Sequence, residues 1–155
     1  MRAHTVIGLV AWFIVCYGAA AVGAQFEPGE WYEALTRPPW TPPDWLFGPV
    51  WTVLYGLMAV SAWLVWRRGG FAAQPLPLSA FMVQLGLNAT WSWLFFGLNR
   101  PGIALGGLVL LYLAVAATLV LFWKLERVAA SLLVPYLLWL SFAAALNFEI
   151  WRLNP

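Results

Sequence analysis

The chain has 155 residues, 63% of them hydrophobic and only 9% charged, with a mean hydropathy of +0.79 and a formal net charge of +2. Soluble domains carry about 25% charged residues, so a chain this apolar has too little polar surface for water and needs a bilayer as its solvent. No basic run offers a nucleic-acid surface, the lone Cys16 excludes an intrachain disulfide, and with His4 as the only histidine no His, Cys and carboxylate group stands at metal-ligand spacing.

The first apolar run, residues 5–24, follows Arg2 and ends among Ala20, Ala21 and Ala24. A cleaved signal peptide shares those features, but the chain that follows is itself membrane-embedded, so the run reads as a retained helix. Next comes the most unusual stretch, residues 31–51, WYEALTRPPWTPPDWLFGPVW. Pro38, Pro39, Pro42 and Pro43 remove amide donors and fix φ, so most of it cannot be an ordinary helix. It is too aromatic for a solvated linker, and the expectation is a stiff aromatic lid over helix ends, closing a compartment.

Further apolar runs cover residues 44–66, 78–98, 102–123 and 129–153, each near the length of a tilted span. They are separated by RRGGFAAQPLP at 67–77, by Asn99–Arg100–Pro101 and by residues 124–127. Short breaks make neighbouring helices antiparallel, and Pro135 should kink the last run or sit near its first turns. The expected fold is all-α, one domain over residues 1–155, an integral membrane bundle of five transmembrane helices with the Pro-rich first loop as lid. Arg2, Arg67, Arg68, Lys124 and Arg127 fall on one side against Arg37, Arg100 and Arg152 on the other, which favours a cytoplasmic N-terminus. Gly102 with Gly106, and Ala19 with Gly23, have the small-xxx-small spacing of either a dimer seam or close packing inside one bundle.

Polar atoms inside the runs point inward, since an amide in hydrocarbon costs several kcal/mol without a partner. Gln84, Asn88 and Trp91 share one face, flanked by Ser92 and Phe95. Trp139, Ala143 and Asn147 form a second stripe in which the small Ala143 leaves a concavity, and Trp51, Tyr55, Ala59 and Ala62 form a third. Interhelical hydrogen bonding is one use of such amides. The other is a pocket for a flat, rigid, largely apolar ligand with a few polar edges. Trp66, Trp123 and Trp151 lie near run ends, where interfacial belts form. Glu149 is placed to pair with Arg152, and His4 reads as an exposed terminal residue. No nucleophile–base pair, phosphate-binding glycine loop or metal site is visible.

Three segments together carry a resemblance. The WxPPxW core at Trp40–Trp45 and the GPVWxxLY stretch from Gly48 to Tyr55, then NATWSWLFFG from Asn88, then VPYLLWLSFAAALNFEIWRLN from Val134, resemble the translocator protein family, also called the tryptophan-rich sensory protein, peripheral benzodiazepine receptor or TspO/MBR family. The resemblance covers nearly the whole chain. It implies a five-helix bundle, usually a homodimer, whose first loop closes a pocket for porphyrins such as protoporphyrin IX, for sterols in some members, and for benzodiazepine-type drugs. Carried over, the ligand-binding residues are Tyr32, Pro42, Trp51, Tyr55, Asn88, Trp91, Trp139, Ala143 and Asn147. The family's proposed cholesterol motif is met only by Leu146, Phe148 and Arg152, and Phe148 lacks the required tyrosine hydroxyl. The compact chain suggests a prokaryotic membrane.

The expected function is porphyrin binding in tetrapyrrole sensing or regulation, with membrane lipids as surroundings, no nucleic-acid partner and no required cofactor or metal. The alternatives are light-dependent porphyrin breakdown, in which Trp51 or Trp139 would donate electrons, and porphyrin or sterol transport, for which no inverted repeat is evident.

Overall fold

The computed structural model describes residues 2–155, with side chains from His4 onward. Five long helices dominate: α1 (Arg2–Gly23), α3 (Asp44–Trp66), α5 (Pro75–Ser92), α6 (Pro101–Leu125) and α7 (Arg127–Leu153), with single-turn helices α2 (Glu30–Glu33) and α4 (Gly70–Ala73) between them. Their boundaries follow the local chemistry. Pro43 holds the extended backbone before α3, Asp44 places a negative charge at its N-terminus, and Pro75 and Pro101 open α5 and α6, where a missing amide costs nothing.

The breaks are tighter than their composition suggests. The irregular part of the Pro/Trp segment shrinks to residues 34–43, because α2 precedes it and α3 starts at Asp44 and carries Pro49 inside its first turns. The 67–77 stretch contains α4, entered through Gly69 and Gly70 at φ +112° and +64°. Glu126 alone, in extended backbone, separates α6 from α7, and α7 runs unbroken through Pro135. At its C-terminal end α5 widens into a π-helical turn, Trp93–Gly97, and the chain reverses through Asn99 at φ 55°.

Side-chain packing links α1 to α3, α3 to α7, α7 to α6, α6 to α5 and α5 back to α1, so the long helices close into a ring. Trp12, Cys16, Met58, Phe81, Phe122 and Tyr136 lie in the main core, while Tyr32, Phe95, Ala104, Leu146 and Ile150 form a second cluster below the first loop. Close approaches need glycine in two places: a Cβ on Gly8 would stand 2.1 Å from the Trp66 ring, and one on Gly102 2.8 Å from Trp151 Nε1. Gly102 is therefore used inside the chain, as is Gly23 beside Ser92, whereas Gly106 faces open space.

Large apolar side chains such as Ile7, Ile14, Leu110, Leu113 and Leu138 are exposed on the outer faces. Water would not tolerate such a surface, and a bilayer requires it. Among the described residues four helices are long and apolar enough to cross a membrane: His4–Gly23, Asp44–Trp66, Pro101–Leu125 and Arg127–Leu153. α5 is not among them. Its 18 residues carry Gln84, Asn88, Thr90 and two prolines, and its buried side includes both amides.

Candidate functional site

A cavity of about 440 Å³ opens between the ends of α1, α3, α5 and α7 on the side of the first loop. That lies within the range of about 300–1,000 Å³ common for small-molecule sites. Its wall takes Trp51 and Tyr55 from α3, Asn88 and Trp91 from α5, and Trp139, Ala143 and Asn147 from α7, with Tyr32 from α2. These stripes meet because each recurs at helical spacing on a face that the ring turns inward. Pro42 does not line the cavity; it is half-buried in the loop just before α3 begins.

Two of the amides are paired with protein. Tyr55 Oη donates to Asn88 Oδ1 at 3.1 Å, and Asn88 Nδ2 donates to Tyr136 Oη at 2.6 Å, which ties α3, α5 and α7 together. Trp91 Nε1 donates to Asn147 Oδ1 at 3.2 Å, and Asn147 Nδ2 donates to the Pro101 carbonyl at 2.8 Å. The interhelical role of the amides is thus realised, and it fixes the wall. Trp139 differs: its Nε1–H is buried and has no hydrogen-bond partner among the described residues. An unpaired buried donor carries a desolvation cost of about 1–3 kcal/mol, so an acceptor reaching it is favoured.

Aromatic contacts make the wall stiff. Trp51 lies 5.7 Å from Tyr55 and 6.1 Å from Tyr136, Phe47 lies 5.8 Å from Trp139, and Trp91 stacks on Phe95 at 5.2 Å. Across the top, Tyr32 meets Phe95 and Phe96 edge-on, and Trp40 meets Phe142. The loop is also tied by polar contacts. Arg37 lies 4.9 Å over the Tyr32 ring and 3.4 Å from the Asp44 carboxylate. Asn154 clips Thr36 on both sides: Thr36 N donates to Asn154 Oδ1 at 3.0 Å, and Asn154 Nδ2 donates to the Thr36 carbonyl at 2.9 Å.

Several lining residues lie outside the sequence stripes. Tyr136 completes the Asn88 network without lining the cavity, and its place one turn before Trp139 and Leu140 was the available signal. Phe47, Phe96, Leu108 and Leu111 carry no such signal. Tyr17, also on the wall, donates from its hydroxyl to the Thr52 carbonyl at 2.7 Å. Outside the cavity, Glu149 accepts from Arg152 Nη2 at 2.6 Å, the pairing its spacing implies. Among the described residues no group of three or more His, Cys, Asp or Glu is placed to hold a metal ion.

Apolar outer faces, a closed ring of helices and an aromatic cavity opening at one end define a helical membrane protein with a mostly apolar chamber. The TspO/MBR family model matches residues 7–152, and the chain belongs to that family. It is 45% identical over 148 residues to Protein CrtK of Rhodobacter capsulatus, covering 93% of this chain and 91% of that protein. It is 44% identical over 138 residues to the translocator protein of Homo sapiens, covering 86% of this chain and 82% of that one. With the tryptophan-rich sensory protein of Cereibacter sphaeroides it shares 41% identity over 139 residues, 90% and 86% of the two chains.

Proposed function

We propose that the cavity binds a porphyrin, protoporphyrin IX or a related flat apolar ligand, with residues 24–43 acting as its lid, and that the protein serves tetrapyrrole sensing or regulation. In this reading all five long helices span the bilayer, α5 turning its amides inward. The observation that carries it is the cavity itself: aromatic rings from three helices surround one small residue, Ala143, and one unpaired donor, Trp139 Nε1–H. Such a wall suits a rigid conjugated ring, which gains stacking contacts and loses little conformational entropy. Asn88 and Asn147, satisfied by protein, hold the wall in place, and a small turn of the Trp139 ring would bring its buried, unpaired Nε1–H to a polar edge of the ligand.

The test is a dark titration of protoporphyrin IX into detergent-solubilised protein, followed by tryptophan quenching. Saturable quenching is expected, and Trp139→Phe should weaken binding by about tenfold, the worth of one hydrogen bond of ~1.5 kcal/mol, while leaving the fold intact. Quenching that rises without saturation would mean partitioning into the micelle.

A second reading, light-driven porphyrin breakdown, is favoured by the placement of both Trp51 and Trp139 on the wall. It predicts a new absorbing product under light that depends on protein and falls in Trp139→Phe faster than occupancy does. Pigment loss equal to that in empty detergent would reject it.

A further inference from the structure

The end of the bundle opposite the cavity is basic. Arg67 and Arg68 enter from the α3–α4 turn, and Lys124 and Arg127 from the α6–α7 junction, around the acid Glu126. Arg68 Nη2 donates to Glu126 Oε2, joining the two elements, and Arg67 also acts electrostatically on that carboxylate. In these two connections one acid stands against four cations in all. Arg67, Lys124 and Arg127 are all exposed.

Two of these cations are held on indole rings at helix ends. The Arg67 guanidinium lies 5.1 Å from the Trp63 ring centre, and that of Arg127 lies 5.9 Å from Trp123. Trp63 is itself anchored, its Nε1 donating to the Thr5 carbonyl at 2.9 Å. Tryptophans at span ends sit at headgroup level, so both guanidiniums stand at the depth of lipid phosphates, and their planar forks match phosphate oxygens. The cavity end has the opposite balance, with Glu27, Glu30, Glu33, Asp44 and Glu149 against Arg37, Arg100 and Arg152.

We propose that the basic end binds the phosphate-bearing headgroup of an anionic phospholipid, with Arg67 and Arg127 contacting the phosphate and the Arg68–Glu126 pair bracing the two elements that present them. This site is separate from the cavity and independent of what the cavity holds.

The experiment offers the purified protein equimolar phosphatidylglycerol and phosphatidylcholine in detergent and counts retained lipids by native mass spectrometry. Wild type should retain phosphatidylglycerol in preference. The double variant Arg67→Gln/Arg127→Gln should lower that preference by about tenfold, and Arg100→Gln/Arg152→Gln, which also removes two charges but at the other end, should leave it unchanged. Millimolar inorganic phosphate should not displace the lipid, since the acyl chains add apolar burial. Equal retention of the two lipids by wild type, an equal loss in Arg100→Gln/Arg152→Gln, or full displacement by inorganic phosphate would each overturn the assignment. The wild-type comparison needs no substitution, so a poorly folded variant cannot mask the result.

Discussion

Asn88 and Gln84 sit four residues apart on one face of α5, both buried, yet their environments differ. Asn88 accepts from Tyr55 and donates to Tyr136. Gln84 Nε2 reaches only the Met58 sulfur at 3.9 Å, a weak acceptor, and its Oε1 has no partner among the described residues. Substitution with leucine should therefore act in opposite directions. Asn88→Leu orphans two buried hydroxyls and should cost about 1–3 kcal/mol. Gln84→Leu removes an unsatisfied amide and should be neutral or stabilising by about 1 kcal/mol. Thermal unfolding of the two variants in the same detergent checks both; equal destabilisation would contradict the assignment. The inward direction of both residues was legible in the sequence, because an amide in an apolar run has nowhere else to go. Which one finds partners was not, because Tyr55, Tyr136 and Met58 come from two other helices whose rotation about their axes the chain does not state.

Rotation is the element-scale reason why only part of the wall was legible. Stripes marked by Trp, Tyr, Asn or a small residue, such as Trp51–Tyr55 and Trp139–Ala143–Asn147, stand out at helical spacing. α6 is apolar on all sides, so the face bearing Leu108 and Leu111 carries no contrast with its lipid side. Helix positions were legible from proline, glycine and charge, while the one-residue α6–α7 junction was not, and Arg68 reaches Glu126 there from a different connection. Two expectations belong to these connections. The Arg68 hydrogen bond holds the Glu126 carboxyl below its ordinary 4.5, against opposing desolvation and with help from the charge of Arg67. A depressed folded value means the contribution is full above that ordinary value and is lost as pH falls through the folded one. Unfolding temperature should therefore drop in acid below about pH 4.5, modestly because the pair is solvent-screened, and Glu126→Gln should flatten that limb. The second concerns the Asn154 clip on Thr36. Asn154→Ala should speed proteolysis within residues 34–43 with little change in global unfolding temperature; unchanged cleavage would show that the aromatic contacts hold the loop alone.

Across the whole molecule, the two ends of one bundle are built differently. The cavity end gathers aromatic rings and acids under a tied loop, and the other end presents cations on indoles. The ring order α1, α3, α7, α6, α5 brings three stripes together around one cavity. The account's central claim is that the chamber under the first loop is a ligand site, and Ala143 is its most direct probe. Phenylalanine there fills space that the wall leaves open between Trp139 and Asn147. The measurement is a dark protoporphyrin IX titration of wild type and Ala143→Phe, with unfolding temperature recorded on the same samples. The account predicts saturable tryptophan quenching in wild type, a loss of affinity of about tenfold or more in the variant, and an unfolding temperature that stays the same or rises. Equal affinity in two folded proteins would place the porphyrin elsewhere and contradict the claim.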